Sequence, residues 1–181
     1  TDMVLVDSRL AARQATEHLI AQGYARIACI TGPAGIRATD DRLAGYRDAL
    51  HADKQRSTAS LVKNAEYHAA GAKAATHALY ANKDRPDAIL VANNAIAVGT
   101  LECLQELGLR PGRDVGVVAF DEAPWTTLID PPLSVVAQPA HEIGMLAARM
   151  LLARIDDPAR PPATTTLNAR LVERASSQRI R

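Results

Sequence analysis

Residues Asp87 to Gly99 read DAILVANNAIAVG, an apolar run that ends in two adjacent amides and turns at once into an Ala-rich segment. The consecutive apolar residues Ala88 to Ala92 suit a strand covered on both faces, and Ile96, Ala97, Leu101 and Leu104 then recur at helical spacing. Asn93 and Asn94 therefore occupy a strand-to-helix corner. In an open α/β sheet such corners lie at the carboxyl edge of the strands, where ligands bind. One amide there suffices to cap the helix, and a second is left without that task.

The same alternation runs outward in both directions. Val4 to Val6 is strand-like, and Leu10, Ala11, Ala15, Leu19 and Ile20 carry a helical stripe that stops at Gly23. Ala25 to Gly32 predicts a strand, Leu43 to Ala52 a helix, Thr58 to Val62 a strand and Ala69 to Ala81 a helix. Beyond the Asp87 unit, Asp114 to Phe120 is a strand. Pro131-Pro132 and Pro158 to Pro162 bracket a helix with Ile143, Leu146, Ala147, Met150 and Leu151 on one face. Leu167 to Val172 is strand-like and precedes a polar tail. Strands alternating with helices imply an α/β protein with a doubly wound, mostly parallel sheet.

Composition limits the function classes. The chain has 181 residues, 48% hydrophobic, and a net charge of +1 from 21 Lys plus Arg against 20 Asp plus Glu. A core of that size is sufficient for a domain, and no overall field exists to recruit nucleic acid or an anionic membrane. Cys29 and Cys103 read as small core residues, as in a reducing cytosol, and no metal site is expected. No apolar segment approaches the ~20 residues that span a bilayer, and no secretory leader opens the chain.

Catalytic signatures are missing as well. No G-x-S-x-G, G-x-G-x-x-G or H-E-x-x-H pattern occurs, and TGPAG at Thr31 to Gly35 lacks the Lys-Ser/Thr ending of a phosphate loop. His18, His51, His68, His77 and His141 are not spaced as metal ligands. Neither an enzyme nor a cofactor is expected.

Polar groups do gather at the predicted carboxyl ends of different strands: Arg42, Asn93 and Asp121. Together they offer a fork of donors, an amide that donates and accepts, and a carboxylate that accepts, a set suited to a polyhydroxyl or heterocyclic ligand. Taken singly, Arg42 fits an ion pair with Asp40, Asp41 or Asp121 equally well, and Asp121 fits a turn ahead of Pro124. Their coincidence at one sheet edge favours a pocket.

At this level of detail the chain resembles the effector-binding domain of the lac repressor/galactose repressor (LacI/GalR) family of bacterial transcription regulators. VLVD, HLIAQGYARIACITGP, RLAGYRDAL, PDAILVANNAIAVG, LGLRPGRDVGVVAFDE, PPLSVVAQP with HEIGMLAARMLL, and LVERAS follow one another in the family's order. The resemblance implies a periplasmic-binding-protein-like (type I, α/β/α) pair of lobes with a small-molecule effector, here sugar-like, in the cleft. Arg42 then matches the effector-gripping arginine, Asn93 the amide of the family's AND motif and Asp121 its pocket carboxylate. Gln138 matches a crossover position facing the cleft. Ile36 and Ala38 fall where relatives often place polar contacts, Glu66 where several place a stacking aromatic, and Asn94 where Asp is usual.

The same resemblance divides the chain. Residues 1–7 match a strand of the amino-terminal lobe, 8–136 the carboxyl-terminal lobe, 137–162 a helix and linker of the other lobe, and 163–181 a last strand and tail. It implies a cytoplasmic homodimer that reaches DNA only through a helix-turn-helix headpiece outside this chain, with half a cleft and weak effector affinity. The Ile143 to Leu151 stripe is expected to fold back on the sheet or, preferably, to meet a second copy, and Trp125 to lie on the rim or the dimer surface. A solute-binding protein of the transport type is the alternative, and residues upstream of Thr1 would discriminate the two.

Overall fold

Strand pairing divides the chain into two sheets of unequal size. The computed structural model describes residues 1–53, 59–81 and 83–179. In chain order the elements are β1 (Met3–Val6), α1 (Ser8–Ala21), β2 (Ile27–Thr31), α2 (Arg37–Ala52), β3 (Val62–Asn64), α3 (Ala69–Tyr80), β4 (Ala88–Val91) and α4 (Asn94–Glu106). They continue with β5 (Gly116–Phe120), β6 (Ser134–Ala137), α5 (Ala140–Asp156), β7 (Thr164–Leu167) and β8 (Arg170–Val172). The larger sheet has the order β3-β2-β4-β5-β6-β8, parallel except for the antiparallel β8. The smaller pairs β1 with β7, in parallel.

Every residue of β2, β4, β5 and β6 is buried, which demands cover on both faces. One face packs Ile30, Ile89, Val91, Val117 and Val135 against α3 and α4. The other packs Ile27, Leu90, Val118 and Phe120 against α1 and α2. Cys29 lies in this second core, where burial pushes its thiol up to about 12, so it behaves as an apolar residue. Within each helical layer the partners touch at a glycine: a Cβ on Gly45 would stand 2.0 Å from the Arg9 carbonyl oxygen, and one on Gly99 1.9 Å from that of Ala69.

Three segments of the sequence take a different form from the one their local pattern suggests. The predicted Thr58 to Val62 strand starts outside the described residues at Thr58, continues as a 3₁₀ turn over Ala59–Leu61 and becomes a strand only at Val62. The Leu167 to Val172 strand is two strands. β7 joins β1, the chain crosses at Asn168 and Ala169, and β8 joins β6 in the larger sheet. Within the polar tail, finally, Ser176 and Ser177 are fully buried and bonded to the large sheet's framework, while Gln178 and Arg179 stay exposed.

α5 lies against β1 without burying any of its residues completely. Ile143, Leu146 and Met150 are half-buried, whereas Leu151 of the predicted stripe is 61% exposed, with Leu152 and Ile155 beside it. The chain passes between the two sheets at Asp7, at Gln138-Pro139 and at Asn168-Ala169.

Two glycine substitutions separate close packing from helix propensity. Gly99→Ala forces α3 and α4 apart and is expected to lower stability to urea unfolding by about 1–3 kcal/mol. Gly144→Ala, with nothing within 4 Å of the added carbon, is expected to raise it by about 0.5–1 kcal/mol. Equal effects would refute the close helix contact.

Candidate functional site

The carboxyl ends of β2, β4, β5 and β6 place their following residues along one edge. Arg42 reaches this edge from the second turn of α2 and is 7% exposed. Its Nη1 donates to the carbonyl of Ala92, and its guanidinium carbon lies 4.1 Å from the centroid of the Phe120 ring at the end of β5. Burial lowers the guanidinium's pKa, while Asp121 and Tyr67 act in the opposite direction. Nε has no hydrogen-bond partner. Among the described residues Arg42 forms no ion pair: Asp41 faces Arg37 at 3.7 Å, and Asp40 accepts from the Gly35 N–H.

Asp121 follows β5 in a left-handed conformation, with φ at +75°. An aspartate tolerates that region where its own bonds hold it. Its N–H donates to the Val136 carbonyl at 3.0 Å, and its Oδ1 accepts from Gln138 Nε2. Gln138 stands where the chain leaves β6 for α5, so the carboxylate is tied to one of the three crossings between the sheets. Ala38, Arg42 and Gln138 line a cavity of about 290 Å³ together with Val4, Val6 and Ile143. Its walls thus come from β1, the starts of α1 and α2, the connection after β6, and α5.

Asn93 performs the capping duty at the β4 corner, its Oδ1 accepting from the Ile96 N–H at 2.8 Å. That bond consumes the acceptor and leaves the NH₂ end available. The neighbouring Asn94 has a buried Oδ1 with no partner. Three buried polar atoms therefore remain unmatched along this edge: Arg42 Nε, Asn94 Oδ1 and the hydroxyl of Thr31. A buried polar group without a partner is costly, and a ligand that meets it recovers that cost.

Four of the residues expected at the pocket do not line the cavity: Asp121 and Asn93, which adjoin it through Gln138 and through the Ala92–Arg42 bond, and Ile36 and Glu66. Ile36 is the residue before α2 and is 44% exposed. Glu66 is exposed, with φ at +52°, its carboxylate accepting from Asn64 Nδ2 at 3.1 Å and its N–H donating to Asn64 Oδ1 at 2.9 Å. The aromatic group at this corner is the next residue, Tyr67. Its hydroxyl bonds that of Thr39, and its ring fills the space over Gly32, where a Cβ would come within 2.3 Å. The sequence signal was an aromatic at the carboxyl end of β3, one position beyond the residue singled out. Trp125 is half-buried in a separate groove of about 650 Å³, beside Val98, Leu101 and Ile129. Among the described residues no group of three or more His, Cys, Asp or Glu side chains is placed to hold a metal.

Comparison with known proteins fits this architecture. The family model described as a periplasmic binding protein-like domain matches residues 16–177. The ribose operon repressor of Escherichia coli (strain K12) is 32% identical over 98% of this chain and 54% of its own length. A probable opine utilization operon repressor of Rhizobium rhizogenes is 32% identical over 94% of the chain and 90% of its own length. Among solved structures, the transcriptional regulator CelR in complex with cellobiose superposes with a TM-score of 0.92 at 32% identity, over 97% of this chain and 54% of that one. The chain thus spans about half the length of several of the curated relatives it matches. It belongs to the periplasmic binding protein-like domain family, in the form found in LacI-family transcriptional regulators.

Proposed function

We propose that this chain is the effector-sensing part of a transcriptional regulator, and that its effector presents neutral hydroxyl groups to this edge of the sheet. The observation that carries the reading is the state of Arg42. Its Nη1 is committed to Ala92 and its plane to Phe120, and the N–H groups that remain lie under the influence of the Asp121 carboxylate, whose charge offsets that of the guanidinium and disfavours an anionic ligand. The edge then offers the Nε and Nη2 N–H groups of Arg42, an amide NH₂ at Asn93, and acceptors on Asp121 and Asn94. Interleaved donors and acceptors suit vicinal hydroxyls, each of which donates and accepts, and the Asp121 carboxylate repels an anion. The relatives named for ribose and complexed with cellobiose agree with a sugar-like ligand.

In this reading β1, β7 and α5 belong to a second lobe, and the cavity shared by Ala38, Gln138 and Ile143 is part of the cleft. An effector shifts the equilibrium between lobe arrangements only through its different affinity for them. Gln138 is placed to pass that difference on, because it bonds Asp121 and begins the crossing to α5. Tyr67, held by Thr39, supplies an aromatic group one residue beyond Glu66, the position where several relatives place a stacking aromatic. DNA contact would come from a headpiece outside these residues. Homodimerisation would use apolar surface such as the Trp125 groove, next to which Leu128 is 81% exposed. Action in the cytoplasm is consistent with the repressor relatives, and among the described residues no helix is long and apolar enough to cross a membrane.

Titration by NMR with D-ribose and D-ribose 5-phosphate tests the reading on this chain. The neutral sugar is expected to bind and the phosphate ester to bind more weakly. Asp121→Ala is expected to weaken the sugar by roughly 10- to 150-fold, the equivalent of losing one charged hydrogen bond of about 1.5–3 kcal/mol, with the fold retained. Tighter binding of the phosphate ester would reject the neutral-ligand reading. At the β4 corner, Asn93→Ala is expected to lose sugar binding and about 1 kcal/mol of stability, whereas Asn93→Asp keeps the cap and loses binding alone. An Asn93→Asp variant that binds like the wild type would remove the Asn93 amide from the site.

A further inference from the structure

Outside the pocket, a buried chain of hydroxyls ends on a histidine. Ser177 and Ser134 are fully buried and their oxygens are 2.7 Å apart. Ser134 Oγ also donates to the Arg174 carbonyl and accepts from the Arg174 N–H, both at 2.8 Å. At the other end, Ser177 Oγ lies 2.8 Å from Nε2 of His18, in the last turn of α1. The imidazole is only 7% exposed, and its Nδ1 faces Glu173 at 3.6 Å. We propose that His18 and Ser177 form a proton-sensitive clasp, which holds residues 177–179 against the end of α1 at neutral pH and releases them on acidification.

A count of protons defines the clasped state. The one proton of Ser134 goes to the Arg174 carbonyl, so Ser177 must donate to Ser134 and can only accept from His18. Nε2 therefore carries a hydrogen, and in the neutral ring Nδ1 is bare. A second proton would charge an imidazole that has almost no water around it. Burial accordingly lowers the pKa of His18 below its ordinary 6.5, with Glu173 opposing. Glu173 is half exposed to solvent and returns only part of the lost hydration.

Among the described residues, the other charged side chains of α1, β8 and the tail are engaged elsewhere. On α1 itself Glu17 pairs with Arg13, and Arg9 pairs with Asp48 of α2. From β8 and the tail, Arg170 and Arg174 reach Glu122, while Arg179 reaches Asp87 and the Gly23 carbonyl. Glu173 is thus the charge that faces His18. Because the neutral form is favoured in the clasp, the clasp is intact above pH 6.5 and weakens as pH falls toward the lowered pKa. The hydrogen bonds of Ser176 to Val117 and to the Ser134 N–H contain no titrating group, so release is confined to the end of the segment.

Amide hydrogen exchange on the whole chain, corrected for the intrinsic pH dependence, reads the clasp at the Ser177 and Gln178 N–H groups. Their protection is expected to fall by up to about tenfold per pH unit below 6.5, the limit for one linked proton, while amides of β4 and β5 keep theirs. His18→Gln should flatten this dependence. Glu173→Gln, which removes the opposing charge, should lower the clasped pKa further, so that the fall still begins near pH 6.5 but runs deeper and extends to lower pH. Nitrogen shifts of the His18 ring should report hydrogen on Nε2 at pH 7.5. A profile in either variant that matches the wild type, or hydrogen on Nδ1 at neutral pH, would overturn the proposal.

Discussion

Burial of four neighbouring strands on both faces is the constraint from which the rest of this structure follows. β2, β4, β5 and β6 expose no residue to water, so each face of the sheet needs a helical layer, and parallel strands supply it through their own connections. Two helices per face fit only where they approach closely, which accounts for glycine at positions 45 and 99. The return connections bring Gly32, Ala92, Asp121 and Gln138 to the same edge of the sheet. The edge proposed to bind the effector is thus a by-product of the packing solution.

At that edge one buried cation organises the polar groups. Placing a guanidinium where water is scarce is unfavourable unless its hydrogen bonds and charge are met. Ala92 meets one donor, the Phe120 ring meets the face, and Asp121 supplies the opposing charge. The left-handed turn at Asp121 is sustained by Val136 and Gln138, which orient the carboxylate before any ligand arrives. Side chains held in place in this way lower the ordering cost of binding, and in the proposed reading the unmatched Nε of Arg42 is a donor for a ligand hydroxyl.

Much of this was legible in the sequence because the relevant signals are local. The β4–α4 corner follows from an apolar run and a capping amide, and Arg42 and Asp121 from their positions after β2 and β5. What local pattern does not contain is the partner across the sheet. Thr164 to Val172 has the composition of one strand, yet its halves pair with β1 and β6, a division set by the crossing at Asn168 and Ala169. Ser176 and Ser177 look solvated until Val117, Ser134 and His18 are brought to them by the fold. The displacement from Glu66 to Tyr67 has a similar origin: two consecutive positive φ angles after Asn64 turn the first side chain back on the strand end and the second toward Thr39.

A crystal structure of this chain grown in a high concentration of D-ribose addresses the central claim most directly. Sugar hydroxyls are expected within hydrogen-bond distance of Arg42 Nε, the Asn93 amide and the Asp121 carboxylate, with Arg42 still on Ala92 and Phe120. Sugar density in the Trp125 groove alone, or a guanidinium that swings away from Phe120 to grip the ligand, would contradict it.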